Sequence, residues 1–254
     1  MVKEKVLQIR ATLPRLGTRK LYHLLKPALK KASIAIGRDS LFSLLRQEGL
    51  LVVKKKRYCK TTDSKHWMHK YPDLRKDLKP IRPEQLWVSD ITYLSLKDAN
   101  CYLHLITDGY SKKIMGYCLS ETMAATGTLK ALRAAIANRK YEGMLIHHSD
   151  RGLQYCSSQY TSELKANDIA ISMTQSGSPY DNAVAERVNG ILKDEFGLDE
   201  VFDNSYELEK QLEQSIALYN YQRPHISNHM LTPDQMHQQN KLKIKDWHKK
   251  PQEL

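Results

Sequence analysis

Three carboxylates in this chain fall where ordinary packing does not ask for them. Asp90 interrupts the apolar run Trp87-Val88-Ser89-Asp90-Ile91-Thr92-Tyr93-Leu94, Asp150 follows His147-His148-Ser149, and Glu186 lies in Ala183-Val184-Ala185-Glu186-Arg187-Val188. Burying an ionised carboxyl is costly unless it is paired or holds a metal. Three hard oxygen donors with room for water and phosphate suit Mg²⁺ or Mn²⁺. Two such ions, roughly 3.5–4 Å apart, support phosphodiester chemistry with no protein nucleophile. One ion activates a water or a 3′-hydroxyl for in-line attack, and the other stabilises the leaving oxygen. No Ser–His–Asp or Cys–His arrangement competes in the sequence, and no G-x-x-x-x-G-K phosphate loop is present. His147 and His148 read as strand-end packing or as support behind the carboxylates. Taken singly, each acid has an ordinary explanation: an edge-strand charge, a turn residue before Gly152, an exposed helix face.

The elements around the three acids make the combination more specific. Residues 86–94, 102–107 and 114–120 are short β-prone runs split by polar turns, an antiparallel meander. Residues 123–138 are rich in Ala and Leu and predict a helix. A strand over 144–147, a helix over 157–166, a strand over 169–173 and helices over 179–196 and 206–221 follow. This order is that of an RNase H-like α/β core, a five-stranded mixed sheet with helices. Such a core sets its first strand beside its fourth, so Asp90 and Asp150 meet, and the late helix delivers Glu186. Ser178-Pro179-Tyr180-Asp181 combines a capping box with Pro at the first helical position, which starts that helix. Asp108, before Gly109, reads as a turn residue rather than a fourth member, and Asp194 and Glu195 read as solvated.

The first third of the chain differs in kind. The first 82 residues carry 22 Lys and Arg against 6 Asp and Glu, the remainder 18 against 22, within a formal net charge of +12. A basic segment beside a mildly acidic body points to nucleic acid. Residues 1–50 predict three short helices: one from Val2, one capped by Thr18 and ended near Pro27, and one from Arg38 to Gln47 with Leu41, Phe42, Leu44 and Leu45 inward and Gly49 as its stop. This fits a small helical, helix-turn-helix-like domain with Arg38, Ser40, Ser43 and Arg46 toward DNA. Residues 51–82 form a basic linker or arm in which Lys54, Lys55, Lys56 and Arg57 lie along phosphates. Residues 83–222 make the catalytic core, and 223–254 a C-terminal tail. Cys59, Cys101, Cys118 and Cys156 form no C-x-x-C pair and are expected to be reduced thiols, with no zinc at Cys59, His66 and His69. Neither a signal peptide nor an apolar membrane span is expected, so a cytoplasmic location follows.

Spacing then brings a family into view. Thirty-five residues separate Asp150 from Glu186, and Lys193 follows Glu186 by two helical turns on the same face. This resembles the DDE transposases and retroviral integrases of the integrase-core family. Ser176-Gly177-Ser178-Pro179-Tyr180-Asp181-Asn182-Ala183 looks like that family's lead-in to the helix, and Tyr219-Asn220-Tyr221-Gln222-Arg223-Pro224-His225 with Thr232-Pro233 looks like its closing signature. Leu16-Gly17-Thr18-Arg19-Lys20-Leu21 and Glu48-Gly49-Leu50 resemble the N-terminal segment of the OrfB-type subunit of two-frame bacterial insertion sequences, so the resemblance runs nearly end to end. It implies 3′-end cleavage and strand transfer by direct transesterification, with two Mg²⁺ (or Mn²⁺) held by Asp90, Asp150 and Glu186. It implies DNA contacts from Lys193 and Asn182. It implies as partners the element's terminal inverted repeats and target DNA, a first-frame OrfA protein or a frameshift fusion with it, and further copies of the chain on DNA. With no leucine heptads at its start, the chain reads as the catalytic half, associated with the bacterial nucleoid when bound to DNA.

Neutralising Lys54, Lys55, Lys56 and Arg57 together is expected to weaken duplex binding equally for all sequences. It should also flatten the slope of log affinity against log salt by about 0.9 for each phosphate the arm no longer neutralises. An unchanged slope in a salt titration would put the DNA path elsewhere.

Overall fold

The computed structural model describes residues 1–53, 68–76, 78–175 and 183–245. The expected arm at Lys54, Lys55, Lys56 and Arg57, the helix lead-in with Asn182, and the Cys59–His66 pair therefore lie outside the described residues.

Three helices open the chain: α1 (Val2–Thr12), α2 (Thr18–Lys31) and α3 (Arg38–Gln47). Leu21, Leu25 and Leu29 recur every four residues on α2 and are buried, as are Leu41 and Leu45 on α3. The expected stop at Pro27 does not occur, because α2 runs through it to Lys31. Pro27 faces solvent while Leu25 and Leu29 hold the helix down on either side. Burying each leucine is worth roughly 1.5–3 kcal/mol, which offsets the roughly 3 kcal/mol of an interior proline. Gly17, not Thr18, caps α2, and Thr18 is its first residue. Phe42 does not turn inward: it is 40% exposed, with the Arg46 guanidinium 5.0 Å from its ring centre. Gly49 ends α3 as expected, at a φ of 65° that favours glycine.

The rest is built on one mixed sheet. Its strands are β1 (Leu86–Leu96), β2 (Asn100–Asp108), β3 (Ile114–Ser120), β4 (Leu145–Ser149) and β5 (Ile169–Met173), in the order β3-β2-β1-β4-β5. β1, β2 and β3 are antiparallel neighbours, while β1–β4 and β4–β5 are parallel. The five expected strands are joined by a sixth, the two-residue β6 (Val201–Phe202), which pairs with the end of β1. Side chains alternate across β1: Trp87 joins a core with Leu132, Tyr160 and Leu164, whereas Leu86 and Val88 pack with Ala185 on the other face.

Helices cover both faces. α4 (Ala125–Ala137), the short α5 (Leu153–Cys156) and α6 (Ser158–Ala166) lie on the Trp87 side. α7 (Ala183–Phe196) and α8 (Ser205–Tyr221) lie on the other, where Val188, Ile191, Leu212 and Tyr219 share one apolar cluster with Leu103, Leu105, Val6 of α1 and the buried leucines of α2 and α3. A 3₁₀ turn (Ile226–Asn228) leads to α9 (Pro233–His237), which starts with a Thr232–Gln235 capping box. Among the described residues no helix is long and apolar enough to cross a membrane.

α4 approaches β3 at Gly116. A Cβ there would stand 2.2 Å from the Ala131 carbonyl oxygen and 2.5 Å from the Ala135 nitrogen, both backbone atoms that cannot swing aside. Gly116→Ala is expected to destabilise the chain by about 2–3 kcal/mol, the upper range for overpacking. A denaturant midpoint equal to the parent's would refute this reading of the α4–β3 packing.

Candidate active site

The parallel pairing of β1 with β4 aligns two acids. The last paired positions are Val88 and His148. Asp90 and Asp150 each stand two residues further on, so the register brings them abreast just where β4 ends. Strand alternation puts Asp90 on the same face as Val88, the face that α7 covers. Asp150 is fixed by a tight turn, its Oδ1 accepting the Gly152 N–H at 2.9 Å.

α7 presents the third acid. Its Ala185, Val188, Ile191 and Leu192 are buried, which leaves Glu186, Asn189 and Lys193 on one stripe at helical spacing. Glu186 is exposed in the first turn. Asn189 Nδ2 donates to Asp90 Oδ2 at 2.7 Å and ties helix to strand. The Lys193 ammonium stands 4.6 Å from the ring centre of Tyr93 on β1.

The electrostatics bear on what the trio can hold. Burial pushes Asp90 up to about 7, the charges of Asp150 and Glu186 add to the rise, and the bonds from Asn189 and the Ile91 backbone oppose it. The charges of Asp150 and Glu186 reach Asp90, so a cation near them would lower the cost of ionising it. Among the described residues no three His, Cys, Asp or Glu side chains converge tightly enough to grip a single ion. Asp90, Asp150 and Glu186 are hard oxygen donors that would suit a divalent cation, with water and phosphate completing its shell. Tyr155 is buried in the core on the Trp87 side, accepts from Ser89 Oγ at 3.2 Å, and its hydroxyl is pushed well above its ordinary value by burial and by Asp150 and Asp90. His147 and His148 are fully buried, bonded to the Tyr160 hydroxyl at 2.9 Å and the Ser172 hydroxyl at 2.8 Å. Burial, then the charge of His148, lowers His147 to about 3, so it packs as a neutral ring.

Other expected residues lie elsewhere. Asp108 pairs with Trp87 in the β1–β2 ladder, three residues from Asp90, and is fully buried. It accepts from the Glu84 and Ser111 N–H groups and the Ser111 hydroxyl, each at 2.7 Å, and is a turn residue. A serine–histidine–carboxylate chain that the sequence does not announce is present here: Ser111 Oγ is 3.0 Å from His237 Nδ1, and His237 Nε2 is 3.2 Å from Glu84. All three are sealed at zero exposure and the serine already donates to Asp108, so the chain clamps α9 and attacks nothing. Glu195 is not solvated. It takes two bonds from Arg223 at 2.8 and 2.7 Å and two from Lys20 at 2.7 and 3.1 Å. Burial alone would raise Glu195, but Arg223 and then Lys20 hold it down to about 2. Arg38 and Arg46 are exposed on α3, with Arg38 paired to Asp39. Sequence reasoning misses Asn189 and Tyr155; the signal for Asn189 is its position three residues after Glu186 and four before Lys193.

Asp90 yields two opposite effects of one substitution. Its folded value lies above the unfolded one, so the folded chain without metal binds more protons from about pH 4 to 7 and loses stability as pH rises through that window. Asp90→Asn is expected to raise the melting temperature at pH 8 in EDTA while weakening Mg²⁺ binding more than tenfold. In the parent, Mg²⁺ affinity should fall about tenfold per pH unit below about 7. A pH-independent affinity between 5 and 7 would contradict the assignment.

Comparison with known proteins agrees with this geometry. Integrase core domain models match residues 80–179 and 167–233. A 31 kDa protein of insertion element IS600 from Shigella sonnei is 35% identical over 211 residues, covering 82% of this chain and 76% of that protein. A putative transposase of IS986/IS6110 from Mycobacterium tuberculosis is 35% identical over 173 residues, covering 66% of this chain, which spans only 62% of that relative. In fold the chain resembles the HTLV-2 integrase catalytic core domain, solved in complex with magnesium, with a TM-score of 0.50, 19% identity, and 61% of this chain and 97% of that one covered. A relative matched over most of both chains and a core fold shared with an integrase lead to one conclusion: this chain belongs to the integrase-core DDE transposases of bacterial insertion sequences.

Proposed function

We propose that the chain cuts the 3′ ends of its insertion sequence and joins them to target DNA, with Asp90, Asp150 and Glu186 as ligands of two Mg²⁺ or Mn²⁺ ions. The observation that supports this most is the β1–β4 register, two aspartates abreast beneath the helix that carries Glu186. The magnesium held by the HTLV-2 integrase core favours the same metal here. Bound at the trio, the metal would activate a water or a 3′-hydroxyl and stabilise the leaving oxygen.

The chain's own residues do the rest. Asn189 orients Asp90 and helps keep it ionised. Lys193 and Asn182 bind DNA beside the cut. Residues 1–50, with Arg38 and Arg46, act as a helical DNA-binding domain, 51–82 with Lys54, Lys55, Lys56 and Arg57 as an arm along the backbone, 83–222 as the catalytic core and 223–254 as a tail. The partners are the terminal repeats, target DNA, a first-frame OrfA product or fusion, and further copies of the chain, acting in the bacterial cytoplasm at the nucleoid.

The test uses pre-cut element ends and plasmid target. Joining is expected with Mg²⁺ or Mn²⁺ and none in EDTA. Asp150→Asn and Glu186→Gln should each lower it by more than about 100-fold, the upper limit for a residue merely supporting a ligand. Hydrolysis of RNA–DNA hybrids without joining would instead make the chain a nuclease.

A further inference from the structure

Behind α7, on the side away from Glu186, lies a cleft of about 390 Å³. Its charged walls come from parts of the chain far apart in sequence: Arg19 on α2, Lys112 in the β2–β3 turn and Arg187 on α7. His225 and Ser227, after α8, close it, and no carboxylate lines it. Among the described residues neither Arg19 nor Arg187 has an ion-pair partner. Lys112 is held inward by its bond to the Gly109 carbonyl, on a backbone with φ of 65°. That left-handed conformation is disfavoured for a residue with a Cβ and persists where the surroundings enforce it. Ala183 and Val184 also line the cleft, so the first turn of α7, the positive end of a 14-residue helix, opens on it.

Burial, then the charges of Arg223, Lys112, Lys20 and Arg187, push His225 down to about 2. Two acids act near that group: Glu195, which Arg223 and Lys20 already share, and Asp108, whose charge acts on the buried Lys112; neither lines the cleft. Two exposed arginines and an inward-held lysine converging on one cleft, with the first turn of a helix beside them and no carboxylate in the lining, are the chemistry of a phosphate site.

We propose that this cleft seats a phosphate of the DNA backbone, at a point distinct from the reacting phosphate at the carboxylate trio. On α7, residues 183, 184, 187 and 188 form a stripe nearly opposite to 186, 189 and 193. The two sites are therefore separated by the helix, about 10 Å across with its side chains. A strand seated here would bridge α2 of the N-terminal helices and α7 of the core. That the phosphate belongs to DNA rests on the transposase reading; that the cleft takes phosphate does not.

The test compares Arg19→Gln/Arg187→Gln with a control pair, Lys210→Gln/Lys241→Gln, two exposed lysines outside the cleft. Duplex binding by the full chain is titrated with salt in EDTA, so no chemistry intervenes. The cleft pair should reduce the slope of log affinity against log salt by about 0.9 for each phosphate no longer neutralised, and by more than the control pair. Equal slopes for the cleft pair and the control would overturn the proposal. Inorganic phosphate is tested separately by thermal shift. Saturable stabilisation that the cleft pair abolishes, with an unchanged DNA slope, would make this a free-anion site and also overturn it. A parent chain that joins element ends while the cleft pair leaves the slope intact fails the cleft alone. A cleft-dependent slope with no joining by the parent fails the transposase reading and leaves the cleft standing.

Discussion

The parallel ladder between β1 and β4 carries two like charges to one point, and the surrounding structure has to keep them there. A slip of one residue would turn Asp90 to the opposite face of the sheet. The register is held by apolar packing on both faces: Trp87, Leu145 and Ile171 on one, Leu86, Val88 and Ile146 on the other. Packing of this kind has no stake in the carboxylates. It holds Asp90 where burial first, and then the charge of Asp150, raise its carboxyl to about 7.

α7 completes the arrangement because one helix meets several demands at once. Its apolar stripe seats it on the sheet, and Asn189 fixes its height against Asp90. Near its other end Glu195 is gripped by Arg223 and Lys20 in a nearly buried cluster. Buried ion clusters contribute little net stability, since desolvation cancels much of the attraction, but removing one member leaves another uncompensated. Their value here is positional. The cluster joins α2, α7 and the segment after α8, three parts of the chain that share one apolar core but few directional bonds.

Much of this was legible in the sequence for a physical reason. Strand alternation, helix periodicity and turn residues are local, so the order of elements and the positions of Asp90 and Asp150 at β1 and β4 follow from local pattern. What was not legible depends on partners distant in the chain. Glu195 reads as a solvated acid until Arg223 and Lys20 are seen beside it, 28 and 175 residues away. Pro27 reads as a helix stop because the packing of Leu25 and Leu29 that overrides it is tertiary. The sealed Ser111–His237–Glu84 chain spans 126 and 153 residues and has no local signature. Asn189 is the instructive middle case: helical spacing already put it on the face of Glu186, and only its amide's reach to Asp90 needed the fold.

The two faces of α7 then explain why one helix carries so much polar chemistry. The face toward the trio bears an acid, an amide and a lysine, and the opposite face borders a cleft with three cations and no acid. A rigid helix cannot move one face without moving the other. Under the proposal, a strand seated in the cleft would bear on the same helix that carries Glu186. Glu195, at the end of the same helix, ties it to Lys20, the residue next to Arg19 of the cleft. Packing sets where α7 lies, and the ion cluster sets which elements must move with it.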